Sequence, residues 1–141
     1  MPAELFGVEA LQAAFDAMIV EAASAAKTIV KRAEVEVEAE TKKSFTGAHK
    51  KGTRTTSQPG TPPDVVTGAL RRSITSSPVQ VTATAATGSV YPAAVYSRIQ
   101  ELGGVGGRGA HLPARPYLAP SLEKATPRIK AIAVEEWAKV V

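Results

Sequence analysis

Residues 4–43 read ELFGVEALQAAFDAMIVEAASAAKTIVKRAEVEVEAETKK, a run with no proline and one glycine, Gly7. Leu5, Val8, Leu11, Phe15, Met18, Ala22, Ala26, Ile29, Ala33 and Val37 recur every three or four residues, which is the period of one apolar helix face. The run Glu34–Glu38 alternates at period two and would suit a strand. Glu disfavours strands, however, and the helical period before it is strong, so a helix over 3–43 is predicted, fraying towards Thr41. At 1.5 Å per residue such a helix reaches ~60 Å, longer than a domain of this size can cover, so either it breaks or a neighbour covers it.

The rest of the chain has to supply the cover, and its composition limits how. The 141 residues fit one domain, 1–141, whose core must be filled by Ala and Val, because aromatic residues make up only 5%. The absence of cysteine excludes a disulfide framework, a thiolate metal site and a cysteine nucleophile. The start MPAELFGVEA carries no basic n-region and no long apolar run, so neither a signal peptide nor a membrane span is expected, and the chain reads as soluble and cytoplasmic.

Residues 44–66 follow as an expected flexible loop or arm. Positions 44–63, SFTGAHKKGTRTTSQPGTPP, hold three glycines and three prolines among hydroxyl residues, too little apolar surface to offset the entropy of ordering. Lys42, Lys43, Lys50, Lys51 and Arg54 have no acid among them between Glu40 and Asp64, so a solvated basic loop or a phosphate contact are both open. Protease is expected to cut there first, after Lys50, Lys51 or Arg54.

Residues 67–141 read as the α+β core. Val66, Leu70 and Ile74 at spacing four mark a short helix over Thr67–Ser73, with Arg71 and Arg72 off its stripe. Val79, Val81 and Ala83 alternate with polar residues as a strand, a turn falls near Ala86–Gly88, and Ser89–Tyr91 pairs back. Pro92 is placed at the start of a helix presenting Tyr96, Ile99 and Leu102 inward, ended by Gly103 and Gly104. A flexible glycine loop then leads to a third strand or sheet edge at Arg115–Leu118. A last helix starts at Pro120 with Leu122 inward, is interrupted at Thr126-Pro127 with Thr126 as a new cap, and carries Ile129, Ile132, Ala133, Trp137 and Val140 on its stripe. The fold class is thus α+β: a small antiparallel sheet packed by two or three helices, plus the long helix and the basic loop.

Chemistry is not advertised. His49 and His111 are the only histidines, both in loops and neither three or four residues from a second ligand on a helix, so no metal site is expected and the histidines read as solvated. Glu34, Glu36, Glu38 and Glu40 fan over several helix faces and read as a wet surface, not an acid–base pair. The Gly103–Gly109 run lacks the strand before it and the helix after it that a phosphate loop needs, and no nucleophile elbow is present. No catalytic or cofactor-binding residue is assigned, no cofactor is expected, and an enzyme is disfavoured.

Four pieces of punctuation remain: Pro59-Gly60-Thr61-Pro62-Pro63, Thr67-Gly68-Ala69-Leu70-Arg71-Arg72-Ser73-Ile74, Tyr91 and Tyr96 leading to Glu101-Leu102-Gly103, and Arg115-Pro116-Tyr117-Leu118-Ala119-Pro120. In this order, over about residues 59–122, the chain resembles the tail-component family of long-tailed bacteriophages. Its members read as a proline-glycine loop, a Thr-Gly-x-Leu-x-x-Ser-Ile turn, a Tyr helix ending in Glu-x-Gly and an Arg-Pro-Phe-Leu-x-Pro box. The family usually has Thr directly after Glu-x-Gly, where this chain has Gly104.

The resemblance implies a structural virion protein of the phage neck, assembled in the host cytoplasm. Tail-to-head joining or tail completion would be its task, as a subunit of a homo-oligomeric ring, hexameric by resemblance, between head connector and tail tube. Its partners would be itself, the neighbouring connector and tail proteins, and passing DNA touched without specificity, with no membrane. Gly68, Leu70, Tyr96, Glu101, Gly103, Arg115, Pro116 and Tyr117 are then expected to build fold and interface: Gly68 as a tight turn, Arg115 paired with Glu101, and the tyrosines in the core. Lys50, Lys51, Arg54, Arg71 and Arg72 are the candidates for an interface or a DNA lumen. The competing expectation is a small basic nucleic-acid-binding protein using those same five residues.

Overall fold

The computed structural model describes residues 7–52 and 57–140, and Arg54 lies outside them. The helix dictated by the long apolar stripe, α1, runs unbroken over Val8–Ser44, 37 residues or ~55 Å, from Gly7 in the left-handed region (φ 89°). It does not fray at Thr41, which is fully buried and returns its hydroxyl to the Val37 carbonyl at 2.7 Å. The Glu-Val alternation is absorbed into the helix, where Lys31–Glu34, Glu38–Lys42 and Glu40–Lys43 form pairs one turn apart.

The remaining elements are α2 (Ala69–Ser73), β1 (Ile74–Ser76), β2 (Gln80–Val81), β3 (Ala86–Thr87), β4 (Val90–Pro92), α3 (Ser97–Leu102), β5 (Gly104–Val105), β6 (His111–Leu112) and α4 (Leu118–Trp137). The class is α+β, with three two-stranded antiparallel ladders among the described residues, β1–β4, β2–β3 and β5–β6, where one small sheet was expected. Ile74 opens β1 and does not continue the short helix. Its neighbour across the ladder is Pro92, which therefore belongs to β4 and not to a helix start.

β1–β4 and β2–β3 are two stretches of one long hairpin. Ser77 donates its N–H to Ser89 between them, and residues 77–79 oppose only residues 88–89, so the first limb bulges by one residue. The turn falls at Thr82–Ala85, where the Thr82 hydroxyl accepts the N–H of Ala85 at 3.1 Å, and not at Ala86–Gly88. The glycine run is likewise structured: β5 and β6 form a hairpin closed by Gly106 N–H to Ala110 at 2.7 Å. Arg115–Leu118 is not a strand, because its N–H groups go to α3 instead of to a ladder.

α4 lies antiparallel along the C-terminal half of α1, and Arg32 at 2.6 Å from Glu136 and 3.3 Å from Glu135 fixes its far end. Lys139 first, then Arg32, hold the Glu136 carboxyl below the ordinary carboxylate range. Pro127 does not restart α4. It sits on the solvent face, as does Glu123 whose carbonyl loses its helical partner, so water can satisfy that oxygen; the Thr126 hydroxyl bonds back to Leu122 at 2.7 Å and caps nothing. Ile132 is buried as expected, whereas Trp137 and Leu122 are exposed and Glu136 is buried.

The core is Phe45, Ile74 and Tyr117, with Val65, Leu70, Val90 and Leu118 packed around them. The Phe45 and Tyr117 rings meet at 5.2 Å and 44°, and the Tyr117 hydroxyl donates to the Ser97 carbonyl at 3.1 Å. Phe45, the second residue of the expected arm, is buried in this core, and described residues on both sides of positions 53–56 are tied back to the body. Ala48 bridges Val65 in parallel, His49 pairs with Asp64 at 3.1 Å, and Gly60 donates to Ala114 at 2.9 Å. Tyr91, Tyr96 and Leu102 are exposed and not core.

Ile74→Ala is expected to cost about 2–5 kcal/mol in urea unfolding, from the apolar burial removed and the cavity left in a three-residue core. Burial of the Tyr117 phenol raises its pKa to about 12. The unfolded chain then loses that proton near pH 10 while the folded chain keeps it, so stability should fall as pH rises from about 10 to 12. Tyr117→Phe should remove that part of the alkaline loss, measured as the unfolding midpoint against pH.

Candidate assembly surface

Glu101 is the residue on which the motif pieces converge. It stands at the end of α3, and its carboxylate accepts the N–H groups of Tyr117 at 2.7 Å, Leu118 at 3.0 Å and Ala119 at 3.1 Å. A helix N-terminus leaves such donors without internal partners, and no side chain next to α4 caps it. A carboxylate from another helix does the capping, which locks α3 to α4 through a contact sixteen to eighteen residues apart.

The expected Arg115–Glu101 ion pair is therefore not formed. Glu101 is occupied by backbone donors, and Arg115 turns to the loop, giving its Nε–H to the Ser57 carbonyl at 3.2 Å and its backbone N–H to Gln100 at 2.7 Å. Gly103 ends α3 at φ 71°, and a Cβ there would stand 2.8 Å from Ala114 N and Leu112 O, both backbone, so only glycine fits. Gly68 starts α2 in the left-handed region at φ 76°, Leu70 packs on the core, and Pro116 leads into buried Tyr117 beside the α1–α4 seam. The motif residues converge on the junction of loop, α3 and α4. Tyr96 lines a pocket of about 170 Å³ with Phe45, Gly68 and Arg71.

The described basic candidates lie on two segments, the loop and α2. Lys50 and Lys51 are exposed in the loop closed by the Ala48–Val65 bridge, and Arg71 and Arg72 are exposed on α2. Arg72 returns its guanidinium to the Thr67 carbonyl at 3.0 Å and acts on its own turn.

Among the described residues two apolar surfaces are left open: the α1 stripe, which is legible in the sequence, and a groove, which is not. Every residue of Gly7–Glu21 is exposed, so the first four turns of α1 carry Val8, Leu11, Phe15, Met18 and Ile19 at 50–66% exposure without cover. The second is a groove of about 760 Å³ between the C-terminal half of α1 (Ile29, Val30, Val37), α4 (Leu118, Leu122, Ile129) and the hairpin (Ala86–Val90). Glu34 lies in its wall, 4% exposed, contrary to the expected wet surface, and its Oε1 is buried without a hydrogen-bond partner. A Cβ on Gly88 would overlap that oxygen, so the hairpin closes over Glu34 only because residue 88 has no side chain. The apolar period exposed the stripe in the sequence, but nothing local marked where its cover would stop.

Among the described residues no three His, Asp or Glu gather as a metal site, and no helix is long and apolar enough to cross a membrane. Comparison with protein-family models, with curated proteins and with solved structures found no match.

Glu101→Gln is expected to destabilise the fold by about 1–3 kcal/mol, because a charged acceptor of three N–H groups becomes a neutral one. Arg115→Ala, which removes one bond to a loop carbonyl, should cost about 1 kcal/mol or less. Denaturant melts of the two variants check the order, and an equal loss in both would contradict it.

Proposed function

We propose that this chain is a structural assembly protein and not an enzyme. The supporting observation is the uncovered first half of α1: an ordered helix with an apolar face of five large side chains that its own fold does not reach. A monomer gains nothing from such a face, whereas a subunit of a larger body hides it.

Combined with the motif order over residues 59–122, this supports the reading that the chain is a ring subunit of the phage neck, located in the virion and joining head connector to tail. DNA passing through the ring would meet Lys50, Lys51, Arg71 and Arg72 as exposed charges that neutralise phosphates without reading bases.

Mass spectrometry of purified virions should find the chain, and particles made without its gene should be filled heads and unjoined tails. Infectious, joined particles from the deletion would overturn the neck reading. The purified protein should bind duplex DNA weakly at physiological salt. Replacing Lys50, Lys51, Arg71 and Arg72 with Gln should leave its assembly intact and flatten the dependence of log K on log salt by up to about 0.9 for each phosphate no longer neutralised. Tight, sequence-selective binding would favour the nucleic-acid reading instead.

A further inference from the structure

We infer that the open half of α1 and the open groove are the two halves of one contact, and that the free protein is a two-fold dimer in which each copy lays its stripe in the groove of the other. This goes beyond the neck reading and does not rest on it.

The two surfaces match in length. The stripe from Val8 to Ile19 spans ~16 Å at 1.5 Å per residue, and so does the α4 wall of the groove from Leu118 to Ile129. They also share a direction. At 100° per residue, Val8, Leu11, Phe15 and Ile19 fall on the same face of α1 as Ile29, Ala33 and Val37, so the stripe continues directly into the groove wall. With donor and acceptor surfaces on one face of one straight helix, a parallel, staggered partner repeats without closing, as a filament. An antiparallel partner satisfies both surfaces at once and closes.

Charge agrees at the centre of this arrangement. Residues 8–26 carry Glu9, Asp16 and Glu21 and no base, 27–32 carry Lys27, Lys31 and Arg32 and no acid, and 33–40 carry Glu34, Glu36, Glu38 and Glu40. Antiparallel packing sets Asp16 of each α1 between the levels of Lys27 and Lys31 of the other, with Glu9 level with Glu36 nearer the ends, whereas parallel in-register packing sets like against like throughout. With Val8 opposite Val37, Phe15 meets Val30 and the two-fold falls between Ala22 and Ala23, small residues that let the helix axes approach. Five half-exposed large side chains at roughly 100 Å² each, with the smaller groove surface they cover and doubled by symmetry, bury on the order of 1,400 Å², within the range of a standard stable interface.

A two-fold pair cannot occupy a ring whose two faces meet different structures. The dimer is therefore a form of the free chain in which the sticky faces cover each other.

The chain lacks cysteine, so single cysteines report the contact cleanly. Phe15→Cys and Val30→Cys on one chain are ~22 Å apart along α1, beyond the reach of a short bis-maleimide within a copy. Mixed F15C and V30C proteins should cross-link to a species of twice the chain mass, and F15C alone should not. Light scattering should give a dimer for the wild type, and a monomer of unchanged helicity for both Phe15→Asp on the stripe and Leu122→Asp in the groove. A monomeric or ring-sized wild type, cross-linking of F15C to itself, or no cross-link in the mixture would overturn the dimer. None of these outcomes bears on whether virions without the gene have joined tails, so the two readings fail separately.

Discussion

The α1–α4 seam is the contact on which everything else depends. With so few aromatic residues, the chain cannot hold its helices apart on large side chains and must bring them close on small ones. Ala25 and Thr41 from α1 are buried in the body, as are Ser121, Ala125 and Ile132 from α4. Thr41 and Ser121 each return a hydroxyl to their own helix, at 2.7 Å and 2.5 Å, so the polar atoms in that packing are satisfied. The Arg32 clasp on Glu135 and Glu136 then fixes where α4 ends along α1. That end point decides how much of α1 is left bare.

A second constraint positions the rest of the chain on the seam. The N-terminus of α4 needs an acceptor, and Glu101 of α3 supplies it. This brings the Gly103 turn and the β5–β6 hairpin to the same end of the molecule and seats Tyr117 against Phe45 and Ile74. Phe45, the first residue after α1, is buried in that same core, so the chain leaves α1 along the body.

Glu34 shows what the seam costs. A carboxylate oxygen with no partner, under a glycine of the hairpin and beside an open apolar groove, is an unusual choice for a small fold. Its other oxygen lies 3.5 Å from Lys31, an exposed base, so the charge is only partly compensated.

Local signals in the chain were enough for the long helix, the short one at Ala69–Ser73, the last one and the α+β class, because apolar period and glycine punctuation are read over a few turns. The family resemblance singled out the residues that converge at the junction, Gly68, Leu70, Glu101, Gly103, Arg115 and Tyr117, though not what these touch there. It took the folded chain to settle that Glu101 caps a helix instead of pairing with Arg115, that Pro127 is tolerated on a wet face, that the hairpin bulges, and that the strands form three ladders. Those outcomes turn on which donors and acceptors meet across the fold, and a buried N–H takes the best acceptor brought to it from anywhere in the chain. The same holds for the open surface: periodicity gave α1 its apolar stripe from end to end, but the point where α4 stops covering it is set across the fold, by helix packing and the Arg32 clasp.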